Sequence, residues 1–111
     1  MIDFIGIELI IFHDLPVQSI NLNSKDKFEL ELIVTPYNEE TASYDLIKLS
    51  FADFQHLNIG KIEMIKDSEL EITSFDYYMK DELFHGKMIL SMGYAKPVFN
   101  IDFACKRVYV N

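Results

Sequence analysis

Short segments of the chain alternate apolar and polar residues, and this period of two is the strongest constraint on its fold. The clearest segment carries apolar side chains at four alternate positions, Phe28, Leu30, Leu32 and Val34. Glu29 and Glu31 fall between them. Alternate residues of a β-strand lie on one face, whereas a helix would scatter them around its axis. The apolar set is therefore predicted to face a core and the glutamates to face water.

Similar alternation recurs along the chain, and sparse turn residues divide it into pieces of strand length. The other alternating apolar series lie at 20–22, 47–51, 70–72, 88–92 and 99–105. Parallel βαβ folds need long helical patterns between strands, and the sequence has none. The prediction is an all-β, mainly antiparallel fold over one domain, residues 1–111. It is a single β-sandwich or small barrel-like domain of about seven or eight strands.

Two local patterns refine this prediction. Residues 23–26 have turn-forming composition and are predicted to join the flanking segments in a β-hairpin. The apolar phase changes between Cys105 and Val108, which predicts a β-bulge or a break in the last strand.

Three further segments are less regular: two of them fit more than one structure, and the prediction for the third depends on its apolar composition alone. Residues 74–84 fit either one short helix, with apolar residues four apart, or a pair of strands. Residues 61–67 fit either a strand or a helical turn. Residues 5–12 are apolar and are predicted to form the first strand, at an edge of the sheet.

The charge of the chain is acidic and uneven. Ten Lys and Arg against 18 Asp and Glu in 111 residues give a net charge of −8. Nucleic acid needs a basic surface, so it is not expected as a partner. Residues 1–55 contain ten of the acids and only three Lys. Such an excess either keeps the protein soluble or forms a face that attracts a basic protein.

Seven acidic residues in this half are the candidate partner-binding positions. They lie in predicted turns, in loops or on the water-facing side of a strand: Asp14, Asp26, Glu29, Glu31, Glu39, Glu40 and Asp45. Glu29 and Glu31 are two apart, so they are predicted to form a paired negative patch on one strand face.

His13 and Asp14 are the one pair that suggests catalysis. A carboxylate beside an imidazole can support general acid–base chemistry, but neighbours on a strand point to opposite faces. A turn before Pro16 would let them meet. The structural alternative is that Asp14 accepts backbone N–H groups while His13 binds a loop carbonyl. The three histidines lack the spacing of familiar zinc sites, so no metal or other cofactor is expected.

Cys105 and Arg107 are each the only residue of their type, and both are predicted to be structural. Cys105 lies in an apolar strand pattern and is predicted to be a small buried side chain. One cysteine cannot form an internal disulfide, so the fold does not depend on an oxidising compartment. Arg107 is predicted to form an ion pair with a carboxylate.

The apolar N-terminus, residues 1–12, lacks the basic start and the cleavage site of a signal peptide. No stretch reaches the roughly 18 apolar residues of a membrane span. The expected location is cytoplasmic, with no membrane partner.

Several short motifs resemble small bacterial immunity-protein-like domains of polymorphic toxin systems, many of which are β-rich domains of unknown function. The opening is similar in Phe12-His13-Asp14, in Val17, Ser19 and Ile20, and in Leu30-Glu31-Leu32. The middle is similar in the strand at 47–51, and the end in the Phe-x-Cys-x-x-Val pattern at 103–108. Residues 61–84 depart from the pattern. The resemblance implies a cytoplasmic protein that binds and blocks a cognate toxin, and it implies no catalytic residue.

The sequence and the resemblance together favour a non-catalytic protein-binding domain, specifically an immunity-type inhibitor of a basic bacterial toxin. One alternative is a structural or oligomeric module that pairs through the edge at residues 5–12. The other is a small hydrolase that uses His13 and Asp14. Both a monomer and a homodimer fit the sequence.

Overall fold

The computed structural model describes residues 1–24, 28–61, 69–92 and 97–111. These ranges contain one helix and eight strands: α1 (Phe4–Glu8), β1 (Leu15–Asn23), β2 (Glu29–Val34), β3 (Tyr37–Asn38), β4 (Ser43–Tyr44), β5 (Ile47–Ile59), β6 (Leu70–Lys80), β7 (Leu83–Met92) and β8 (Pro97–Val110). Six strands close into a barrel in the order β1-β2-β5-β8-β7-β6, and β3 and β4 form a separate ribbon. Every pair in the barrel is antiparallel. The predicted all-β, mainly antiparallel fold is confirmed, in its barrel form.

The β1–β2 hairpin is confirmed, with Leu22 opposite Leu30. Leu30 and the two apolar residues that alternate with it in β2 are fully buried, as predicted from the period of two. The prediction for Phe28 is wrong, because its side chain is 58% exposed. β2 begins only at Glu29, so Phe28 lies beyond the end of the paired strand and has no core face to join.

The segment at 74–84 is a pair of strands, so the helical alternative is wrong there. β6 and β7 pair along their whole length, from Leu70–Met92 to Lys80–Leu83. The buried face follows a period of two rather than four: Phe75 is 8% exposed, whereas Met79 is 44% exposed. A β-hairpin thus places Phe75 of β6 and Phe84 of β7 in the core. Residues 62–67 of the other open segment lie outside the described residues.

Residues 5–12 do not form an edge strand, and that prediction is wrong. Residues 4–8 form α1, whose first turn is capped by Asp3: its Oδ1 accepts a hydrogen bond from the Gly6 N–H at 2.9 Å. A Cβ at Gly6 would lie 2.5 Å from Asp3 Oδ2, so any larger residue there would displace the capping carboxylate from this position. Ile7 is fully buried, whereas Ile5 is 77% exposed. The apolar segment therefore packs as a short helix over the barrel instead of extending its sheet.

The N-terminal segment covers one end of the barrel, which we call the capped end. Ile2 forms a parallel bridge with Val108 near the end of β8. Phe4 packs edge-on against Phe84 near the start of β7, with ring centroids 6.3 Å apart. Phe12 packs against Phe75 of β6 at 4.9 Å. β5 begins at the capped end and runs to the opposite end, because its first residues pair with the last residues of β8.

The apolar phase of β8 changes between Cys105 and Val108, but the β-bulge or break predicted from it is wrong, because β8 is one strand and pairs with β5 in a single register over these residues. Cys105 and Val108 are both fully buried, although residues three apart lie on opposite faces of a regular strand. They pair with Phe54 and Phe51 of β5, which are also three apart and both contact the core. In both strands the inward-facing side chains change from one set of alternate residues to the other at the same place. The pairing of β5 with β8 therefore continues, and apolar side chains face the core before and after this change.

Candidate functional site

An open groove of about 870 Å³ lies at the capped end, between the N-terminal segment and the β3–β4 ribbon. One wall consists of residues 9–16, and the other of residues 36–47. Four of the predicted partner-binding acids line it: Asp14, Glu39, Glu40 and Asp45. The topology brings these residues together because β1 starts and β2 ends at the same end of the barrel.

The ribbon wall is rigidly built around Asn38. Its side-chain Oδ1 accepts hydrogen bonds from the Glu40 N–H at 3.0 Å and the Thr41 N–H at 3.4 Å. Its Nδ2 donates to the Asp45 carboxylate, 3.2 Å from Oδ2. The Asp45 N–H donates to Pro36 O at 2.9 Å, which closes the loop at its base. These bonds fix the backbone of the turn and the Asp45 carboxylate before any partner arrives, which lowers the entropic cost of binding.

The groove also exposes apolar and aromatic side chains that sequence reasoning did not select. Tyr37 and Tyr44 face each other across the ribbon, with ring centroids 5.2 Å apart in an edge-on arrangement. They are 55% and 65% exposed, and Leu9 and Ile11 on the opposite wall are 80% and 81% exposed. Exposed tyrosines are typical anchors of protein interfaces. The sequence could have indicated them, because the two tyrosines flank an Asn-Glu-Glu segment of turn-forming composition, a pattern typical of a short β-hairpin.

His13 and Asp14 meet in a turn on the N-terminal wall. Asp14 has φ of 56°, and this left-handed conformation brings its Oδ2 to 3.2 Å from His13 Nε2. His13 Nδ1 lies 3.2 Å from the carbonyl oxygen of Thr73 in β6. The two side chains are 77% and 57% exposed, so water surrounds them. This geometry matches the structural alternative for His13, a hydrogen bond to a carbonyl, and it ties the turn to β6.

The remaining predicted acids lie elsewhere. Glu29 and Glu31 alternate with buried leucines on the outer face of β2, as predicted. Glu31 forms an ion pair with Lys48 of β5, with 3.3 Å between Oε1 and Nζ. Asp26 lies outside the described residues. The predicted acids therefore do not form one continuous surface: four share the groove, and the Glu29–Glu31 patch is partly neutralised on the side of the barrel.

Cys105 and Arg107 have the structural roles predicted for them. Arg107 Nε lies 2.7 Å from Asp53 Oδ2, across the phase shift of β5 and β8. Burial raises the pKa of the Cys105 thiol to about 12, against the smaller lowering effect of hydrogen bonds with the backbone of Arg107 and Ala52. A thiol that stays protonated at neutral pH is a poor nucleophile.

Among the described residues, no group of three or more His, Cys, Asp or Glu side chains is placed to hold a metal ion. No helix in the described ranges is long and apolar enough to cross a membrane. Comparison with known proteins found neither a family model nor a curated protein that matches this chain.

Proposed function

We propose that the chain is a non-catalytic protein-binding domain that engages a basic partner through the groove at the capped end. The observation that carries this proposal is the combination of exposed Tyr37, Tyr44, Leu9 and Ile11 with acidic side chains on both walls. Apolar and aromatic anchors provide most of the binding free energy of an interface, and surrounding charges select the partner and speed association.

The specific form that we propose is an immunity-type inhibitor of a basic bacterial toxin. Two residues of the resembling Phe12-His13-Asp14 motif, His13 and Asp14, line the N-terminal wall of the groove. A nuclease toxin binds phosphates with basic side chains, and carboxylates on a preformed ribbon can take the place of those phosphates. The fold needs no disulfide, since Cys105 is a buried free thiol, and this suits an inhibitor that protects the cytoplasm of its own cell.

The first test is affinity capture of the tagged protein from its native lysate at low and moderate salt, followed by mass spectrometry. We expect one basic protein, bound less tightly as salt rises, because the exposed charges are screened. Expression of that protein alone should arrest growth, and co-expression of this chain should restore it. Growth arrest that this chain does not relieve would contradict the inhibitor proposal.

Two variants with the same change in net charge locate the surface. The groove variant combines Asp14→Asn, Glu39→Gln and Glu40→Gln, and the control combines Glu29→Gln, Glu69→Gln and Glu71→Gln. We expect the groove variant to associate with the captured protein about tenfold more slowly, while the control keeps the wild-type association rate. Equal rates for the two variants would show that the groove is not the binding surface.

A further inference from the structure

β5 extends past its neighbour β2 at the end of the barrel opposite the groove. The last pair between them is Ala52 with Glu29, whereas β5 continues to Ile59. Residues 54–59 pair with β8 on one side only, and no strand of the described chain pairs with their other side. A bulge between Phe54 and His56 limits the regular part of this free edge to its last residues.

The direction of the backbone groups on this edge follows from a single hydrogen bond. The Gly60 N–H donates to Asn100 O of β8 at 2.8 Å. Residues of an antiparallel ladder alternate between pairs that bond to the neighbour and pairs that do not. Asn58 and His56 therefore direct their backbone groups toward β8. Leu57 directs its N–H and C=O away from β8, toward the free edge.

An apolar surface accompanies these backbone groups. A groove of about 600 Å³ runs beside the edge. Its lining is apolar at Leu22, Phe28, Phe54, Leu57 and Ile59 and also includes Asp53, Gln55 and His56. Leu22 and Phe28 are 45% and 58% exposed at the tip of the β1–β2 hairpin. An unpaired strand beside exposed apolar side chains is the surface on which another strand adds to a sheet.

We propose that two copies of this chain pair through this edge, β5 against β5, as an antiparallel homodimer. Residues 54–60 contain no Asp, Glu, Lys or Arg in a chain of net charge −8, so this segment places no like charges opposite each other when two copies pair, and the neighbouring Asp53 is ion-paired with Arg107. A twofold axis at Leu57 sets this residue opposite its own copy, with its edge-facing backbone groups in register. It also sets the exposed His56 opposite Asn58 of the second copy. Both copies then contribute the same residues to the interface, as twofold symmetry requires.

A charge-swap experiment tests this register. The acidic variant combines His56→Glu and Asn58→Glu, and the basic variant combines His56→Lys and Asn58→Lys. Each variant places like charges opposite each other, so its dimer dissociation constant should rise at least about a hundredfold. An equimolar mixture should form heterodimers, because every opposed pair is then of opposite sign. Lys80→Glu changes the net charge as much as the acidic variant, at the far end of β6, and should dimerise as the wild type does.

The measurement is light scattering after size exclusion, with sedimentation equilibrium, and circular dichroism confirms that each variant is folded. The wild type should approach twice the 13.0 kDa of one chain as concentration rises. A wild-type monomer up to about 1 mM, where even millimolar affinity is visible, would overturn the proposal. A dimer that persists in both charged variants, or a mixture that stays monomeric, would also overturn it.

Discussion

At the scale of single residues, the turn between β6 and β7 places two consecutive side chains in the left-handed region of the backbone. Asp81 and Glu82 have φ of 54° and 62°, as in a type I′ turn, which normally contains Asn and Gly. A side chain in this left-handed region costs the folded state roughly 1–2 kcal/mol, and glycine avoids this cost. Glycine also gives the unfolded chain more conformational entropy, which offsets part of the gain. We therefore expect Glu82→Gly to raise the free energy of unfolding by about 0.5–1 kcal/mol in urea denaturation. Lys80→Gly, one residue before the turn and without a positive φ, should lower it instead.

Cys105 gives a prediction on pH. Its folded pKa of about 12 lies above the ordinary thiol value of 9.0, so the folded state holds the proton more tightly than the unfolded state does. This contribution to stability is fully present below pH 9 and is lost as the pH rises toward 12. The slope in that window approaches 1.4 kcal/mol per pH unit for one such group. Cys105→Ala should unfold more easily at pH 7 but lose less stability between pH 9 and pH 10.5. Parallel curves for the two proteins in urea titrations would contradict the assignment.

At the scale of elements, α1 is predicted to stabilise the barrel mainly through its one fully buried side chain. Ile7 is fully buried at the capped end, while Ile5 on the same helix is 77% exposed. Ile7→Ala should lower the free energy of unfolding by about 2 kcal/mol or more, because the cavity it leaves lies in the core. Ile5→Ala should change it by less than about 0.5 kcal/mol. Similar effects of the two substitutions on the urea midpoint would mean that α1 is not docked as described.

The period of two predicted strands wherever one face is buried, and it failed where an apolar segment covers the barrel instead of joining it. Leu30 and Leu32 alternate with outward-facing residues because β2 is a barrel strand. The segment at 5–12 is equally apolar, yet only Ile7 and Phe12 of its residues are buried. Asp3, which caps the helix through the Gly6 N–H, is of a residue type that commonly begins a helix, and this was the one sequence indication of a helix there. Composition alone could not separate a covering helix from an edge strand.

At the scale of the whole molecule, the groove depends on the closure of the barrel. Asp14 and Asp45 are far apart in sequence and line one groove because β1 pairs with both β2 and β6 at the capped end. Periodicity predicts which face of a strand is buried, but it does not predict which loops converge. The acids could therefore be selected from the sequence as separate candidates. Which of them line the groove and which lie on the side of the barrel could be known only from the strand order.

The same strand order makes the two proposed interfaces independent. Ile47 lines the groove, and Leu57 lies ten residues further along β5. At about 3.3 Å per residue the strand covers up to about 33 Å, close to the 36 Å longest extent of the molecule. Charges this far apart are screened at 0.15 M salt, where the Debye length is about 8 Å.

Groove and edge variants should therefore combine additively. The groove variant with Asp14→Asn, Glu39→Gln and Glu40→Gln should keep the wild-type dimer dissociation constant within about twofold in sedimentation equilibrium. The variant with His56→Glu and Asn58→Glu should bind the captured partner as tightly per chain as the wild type does. A tenfold change in either measurement would mean that the two ends of the barrel are coupled. In that case partner binding and dimerisation would have to be treated as one equilibrium.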